Sequence, residues 1–145
     1  MGMDKVSDNL YVGDIKDAES RKRLEDNEIE TILNLSTQSS SPEFRREHDK
    51  HYAHIPMRDG EQTDERITLI IETAQRLREM TDNSMLVHCD VGSSRSVSIA
   101  ASLMSLDNGE TVHTNIDRIK TVRAAANPVK ELADQVARVT RDIYN

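Results

Sequence analysis

The chain has 145 residues, 26 of them acidic against 19 basic, a formal net charge of −7 and no tryptophan. That length suits a single domain with one core between a sheet and its helices, and leaves no room for a separate regulatory module. The acidic balance excludes nucleic acid or an anionic membrane as the main partner, because both need a basic footprint.

No stretch approaches the roughly 18 apolar residues of a spanning helix, and residues 1–7 hold no apolar leader region. The single cysteine cannot form an internal disulfide, which fits a reducing compartment, so a cytoplasmic protein is expected.

In chain order, Val6 and Leu10-Tyr11-Val12, separated by Ser7-Asp8-Asn9, read as a small antiparallel pair. Ile15 to Glu28 is polar with few apolar positions and predicts one or two short helices. Thr31 to Leu35 is a β-branched and apolar run suited to a central strand. Ser41-Pro42-Glu43 carries a cap, a first-turn proline and an early acid, the signs of a short helix through His48.

His51 to Ile55 returns to the sheet, Pro56 ends it, and Met57 to Asp64 forms a polar loop. From Glu65, the residues Ile67, Ile70, Ile71, Ala74 and Leu77 fall on one helical face, and Met85-Leu86-Val87 follows as a buried strand. Strand, helix and strand in this order predict a right-handed parallel crossover.

A helix then runs from Ser94 to Asp107, stopped by Asn108-Gly109. Val112, Ile116, Ile119 and Val122 mark an amphipathic helix, and Asn127 caps a last one with Pro128 in its first position. The apolar face of that last helix is Val129, Leu132, Ala133, Val136, Val139 and Ile143. The sum is a single α/β domain with a mixed, mainly parallel sheet of about five strands and helices on both faces.

The chemistry concentrates in Val87-His88-Cys89-Asp90-Val91-Gly92-Ser93-Ser94-Arg95-Ser96. A lone cysteine is more often a small buried hydrophobe than a nucleophile, and a Cys-to-Arg spacing alone is weak. The surroundings decide: a buried strand enters the loop, Gly92 permits a bend, and a helix begins at its far end. Amide N–H groups from Asp90, Val91, Gly92, Ser93, Ser94 and Arg95 can point inward at a helix mouth that favours anions. The Arg95 guanidinium closes such a ring as a planar fork for two phosphate oxygens, and the same positive field favours Cys89 as thiolate.

A proton donor for a leaving group must come from elsewhere, because groups within the ring face the oxygens from the wrong side. Asp59, in the loop after the His51–Ile55 strand, is the leading candidate. Asp64 is the fallback, with helix capping as its ordinary role; Asp90 reads as a rim residue. His88 should point to the opposite side of its strand from Cys89 and orient the loop rather than transfer protons. His48, His51 and His54 are spaced by three but diverge on leaving a helix for a strand, so no metal site is expected.

His88-Cys89-Asp90-Val91-Gly92-Ser93-Ser94-Arg95-Ser96 matches the HCxxGxxRS signature and resembles the cysteine-based protein phosphatases, specifically the dual-specificity branch. Leu10-Tyr11-Val12-Gly13 is similar to that branch's LYxG segment, Ile32-Leu33-Asn34-Leu35-Ser36 to its strand with Asn, and His54-Ile55-Pro56-Met57-Arg58-Asp59 to its IPxxD segment. The resemblance implies hydrolysis of phosphotyrosine, with phosphoserine and phosphothreonine also open, through a phosphocysteine on Cys89. It implies Arg95 and the loop amides as phosphate ligands, Asp59 as general acid and Ser96 as a hydrogen-bond donor to the departing sulfur. Asn34 and Asn127 match loop-bracing positions of the family.

The expected partner is a phosphorylated protein, met by a monomer without cofactor, metal, nucleic acid or membrane. Relatives acting on phosphoinositides or RNA 5′ triphosphates need extra cations, whereas this loop offers Asp90. The alternatives are a phosphate-binding module without turnover, a non-protein phosphate ester as substrate, and sulfur transfer on a rhodanese-like loop.

Overall fold

The computed structural model describes residues 2–38 and 49–144. The short helix expected from Ser41 to His48 lies outside the described residues.

Five strands form one sheet: β1 (Asp4–Ser7), β2 (Leu10–Gly13), β3 (Ile29–Asn34), β4 (His51–His54) and β5 (Ser84–His88). Their order is β1-β2-β5-β3-β4, with β1 antiparallel to β2 and every other pairing parallel. The last strand in sequence is therefore the central one. It enters between β2 and β3, so that Gly13 and Asn34 both lie opposite His88 at its carboxyl end. The connection from β4 to β5 passes over β3, which separates the two.

Among the described residues six helices flank the sheet: α1 (Ile15–Ala18), α2 (Arg21–Asp26), α3 (Asp64–Glu79), α4 (Arg95–Asn108), α5 (Val112–Val122) and α6 (Lys130–Tyr144). Strand alternation splits the core accordingly. Leu86 and Ile32 face a small cluster with Ala18 and Leu24 of α1 and α2. Leu10, Val12, Leu33, Met85 and Val87 face the larger cluster under α3 to α6. Cys89 joins this larger side.

In α3, the five residues of the predicted apolar stripe, Ile67, Ile70, Ile71, Ala74 and Leu77, are the buried ones. Thr63 rather than Asp64 caps that helix, its side chain accepting from the Arg66 N–H. α4 is buried over every residue from Ser96 to Ser105, which its alternation of small and branched side chains allows at close range. Two of its buried hydroxyls find partners across the bundle: Ser102 Oγ lies 2.8 Å from Thr140 Oγ1, and Asn115 Nδ2 donates to Ser105 Oγ at 2.9 Å, whereas Ser98 Oγ has none among the described residues. Gly109 then ends it in the left-handed conformation, φ 74°, donating to Ser105 O.

Two expectations about the last helices need correction. Val122 is 51% exposed, and the inward position after Ile116 and Ile119 belongs to Arg123, only 6% exposed. The amphipathic stripe continues from i to i+4, but its next member is charged. The final helix begins at Lys130, so Asn127 and Pro128 lie ahead of it instead of capping it.

Candidate active site

The sheet delivers Cys89 immediately beyond His88, at the carboxyl end of its central strand. Open α/β sheets bind ligands at this end because the loops from neighbouring strands converge there. Leu35 N–H donates to His88 O at 2.9 Å, and Ile55 N–H to Asn34 O at 2.9 Å, so the segments leaving β3 and β4 extend the sheet alongside the cysteine loop.

The loop's carbonyls all have acceptor roles outside the ring. Asp90 O accepts from Ile15 N–H at 3.4 Å, Ser93 O from Asn127 N–H at 2.8 Å, and Ser94 O from Ser98 N–H within the first turn of α4. Arg123 donates to the remaining two, Nη2 to Val91 O at 3.3 Å and Nε to Gly92 O at 2.7 Å. A trans peptide directs its C=O and N–H in opposite directions. Carbonyls bonded outward at 90 to 94 therefore turn the N–H groups of Val91 to Arg95 toward the interior.

One of those amides already touches sulfur. Gly92 N–H donates to Cys89 Sγ at 3.3 Å, and Ser96 Oγ lies 3.2 Å from the same atom. Gly92 has φ +77°, and an added Cβ would meet Arg123 Nη2 and, at 2.6 Å, Gly13 O. Glycine is required there for both conformation and space.

The mouth of α4 is left open for an anion. Asp14, Ser20, Thr63 and Thr111 each cap the helix that follows with a side-chain bond, whereas Ser94 makes none. Its hydroxyl instead accepts from Val129 N–H at 2.8 Å. The first amides of a long helix, with their partial positive charge, thus remain available.

Arg95 is held by its outer edge. Nη2 donates to Asp90 Oδ2 at 3.0 Å and Nη1 to Met57 O at 3.0 Å. A guanidinium carries five N–H donors, so the Nε edge stays available for a second planar acceptor. The Met57 contact also fastens the loop after β4 to the cysteine loop, and Asp59 follows two residues later, exposed. Asp90 Oδ1 is buried without a hydrogen-bond partner among the described residues.

The remaining candidates divide. Asp64 is drawn away from the site: its carboxylate accepts from Arg138 Nη1 at 2.6 Å and from Gln135 Nε2 at 3.0 Å. Those bonds, Arg138 first, hold its pKa below the ordinary aspartate value, which disfavours a proton donor. Asn34 braces the turn after β3 and not the cysteine loop, giving Nδ2 to Gln38 O and Tyr52 Oη and accepting from Ser36 N–H and Oγ–H. Asn127 does reach the loop, by its backbone N–H to Ser93 O.

His88 is fully buried, with Nδ1 3.4 Å from Cys89 O. A carbonyl only accepts, so Nδ1 carries the proton; Nε2 is buried without a partner among the described residues. Burial chiefly, with His54 nearby, lowers the His88 pKa to about 4.

Arg123 is the member that sequence reasoning missed. The only trace was an apolar stripe, Ile116 and Ile119, whose next inward position is an arginine.

Inward amides, an arginine fork and a sulfur at the head of a central parallel strand define a protein built to receive a phosphoryl group. The model of the dual specificity phosphatase catalytic domain matches residues 10–142, and the chain belongs to that family. Among solved structures, DUSP15 is 26% identical, with 99% of this chain and 90% of that one covered at a TM-score of 0.83. A mouse putative dual specificity phosphatase complexed with zinc tungstate is 20% identical, covering 97% and 87% at 0.83. PTPMT1 in complex with PI(5)P is 13% identical, covering 96% and 94% at 0.80. No curated protein matches the chain.

Because the His88 pKa is lowered, the unfolded chain takes up a proton near pH 6.5 that the folded chain refuses until about pH 4. The stability that neutral His88 carries is complete above pH 6.5 and is lost as pH falls toward 4. Urea titrations at pH 7 and pH 5 should show that His88→Gln removes about 2 kcal/mol of this pH-dependent loss. Equal losses in variant and parent would contradict a buried neutral imidazole.

Proposed function

We propose that this phosphatase hydrolyses phosphotyrosine, and phosphoserine or phosphothreonine, on protein substrates through a phosphocysteine intermediate. The observation that carries the reading is the Gly92 N–H donated to Cys89 Sγ, with Ser96 Oγ 3.2 Å from the same sulfur, inside a ring of amides. An amide N–H aimed at sulfur, with a hydroxyl beside it that is able to donate, suits a sulfur that serves as nucleophile and leaving group.

In the first step the Cys89 thiolate attacks phosphorus, an S–P bond forms, and the P–O bond to the substrate breaks as Asp59 protonates the departing oxygen. The equatorial oxygens rest on the loop amides and on the free edge of Arg95, which its bonds to Asp90 and Met57 hold in place. In the second step Asp59, now a carboxylate, takes a proton from the attacking water. A P–O bond to that water forms as the S–P bond breaks, releasing inorganic phosphate, and Ser96 Oγ–H supports the departing thiolate.

Support for a protein substrate comes from charge. The ring contains a carboxylate, Asp90, and none of its residues 90–94 is basic, which opposes multiply phosphorylated head groups and favours a single phosphate. A groove of about 300 Å3 lined by Thr37, Pro56, Met57, Arg58, Gln62, Thr63 and Arg66 adjoins the Met57 contact and can accommodate chain flanking the phosphorylated residue.

Cys89→Ser should abolish release of phosphate from para-nitrophenyl phosphate and from phosphotyrosine peptides while retaining peptide binding. Binding without turnover by the unaltered protein would sink the enzyme reading, and persulfide formation from thiosulfate would replace it with sulfur transfer. Asp59→Asn should lower kcat on a phosphopeptide by roughly 10²- to 10⁴-fold. A near-normal rate would take the acid role away from Asp59.

A further inference from the structure

We propose that Arg123 is a positioning residue for the reaction, fixing from behind the peptide that presents an N–H to Cys89 Sγ. This inference rests on Cys89 being the nucleophile. The geometry is local and specific. Val91 O and Gly92 N–H belong to one peptide unit; Arg123 Nη2 donates to the carbonyl, and the amide donates to sulfur. Gly92 O begins the next unit and accepts from Arg123 Nε at 2.7 Å. One guanidinium therefore sets the orientation of two successive peptides, because a planar peptide clamped at its oxygen cannot rotate its N–H away.

Arg123 is itself held against motion. Nη1 donates to Asp4 Oδ2 at 2.9 Å, to Gly2 O at 3.3 Å and to Val12 O at 3.4 Å, which ties the β1–β2 ribbon to the back of the loop. The residue leaves α5 in an extended conformation, φ −127° and ψ 107°, and its side chain is directed inward at only 6% exposure. A bulky residue at position 92 is excluded by the same packing. Lysine is a poor substitute, because a single ammonium cannot reproduce a planar fork that spans two carbonyls and a carboxylate.

The consequence concerns the sulfur rather than the fold alone. If the Val91–Gly92 peptide is free to turn, the thiolate loses a charge-assisted bond and the phosphoryl oxygens lose aligned amides. The test is iodoacetamide alkylation of Cys89 against pH, together with steady-state kinetics, on Arg123→Lys and Arg123→Met. The pH of half-maximal alkylation should rise by about one unit, the value of one such hydrogen bond. Turnover should fall by roughly 10-fold in Arg123→Lys and 10²-fold in Arg123→Met, with inhibition by vanadate weakened in parallel.

An unshifted alkylation profile in a folded variant overturns the proposal. So does a rate loss that merely follows the fraction unfolded by circular dichroism. Should Arg123→Met fail to fold, Arg123→Lys, which keeps the charge, carries the test. The alkylation profile reads loop geometry even if the chain does not turn over, whereas activity surviving in Cys89→Ser would refute the nucleophile and leave the profile standing.

Discussion

The orientation of five successive peptides governs this molecule. Asp90 to Ser94 turn their carbonyls outward onto donors from four parts of the chain: Ile15 at the start of α1, Arg123 after α5, which takes two of the five, Asn127 before α6, and Ser98 within α4. Amides facing one another around a small space would repel without an anion to bind. What holds them there is the supply of donors behind them. A buried backbone group left unpaired costs about 1–3 kcal/mol, so the outer shell fixes the inner one.

Much of the fold follows from delivering those donors. The sheet order β1-β2-β5-β3-β4 puts the sulfur's strand between two parallel neighbours, so that the segments after β2 and β3 flank the loop. Gly13 packs against Gly92 from one side, and Arg123 reaches it from α5 while gripping Asp4 on the edge strand. Ser94 Oγ accepts from Val129 N–H and so joins the start of α6 to the head of α4. Each contact stabilises the loop geometry, and each also ties a peripheral element to the core.

Sequence legibility followed the range of the interaction. Elements set by local pattern were readable: the α3 stripe, the Gly109 stop, the β-branched run of β3 and the strand-loop-helix around Cys89 all follow from neighbours a few residues apart. So was the placement of Cys89 with Ser96 and Arg95 around one loop. Contacts made across the fold were not. Asn34 looked like a loop brace and serves the turn to Gln38, because its partner Tyr52 arrives from β4. Asn127 looked like a cap, yet it contributes a backbone N–H that no side-chain pattern reveals. Arg123 carried no motif at all; its importance lies in carbonyls about thirty residues earlier and in an edge strand at the other end of the chain.

Those inward amides are the groups that should receive the phosphate. The direct measurement is an amide-resolved NMR titration of 15N-labelled Cys89→Ser protein with a phosphotyrosine peptide. The amides of Val91, Gly92, Ser93, Ser94 and Arg95 should shift downfield together, with one shared affinity. A peptide that binds while these five amides stay still would contradict the account.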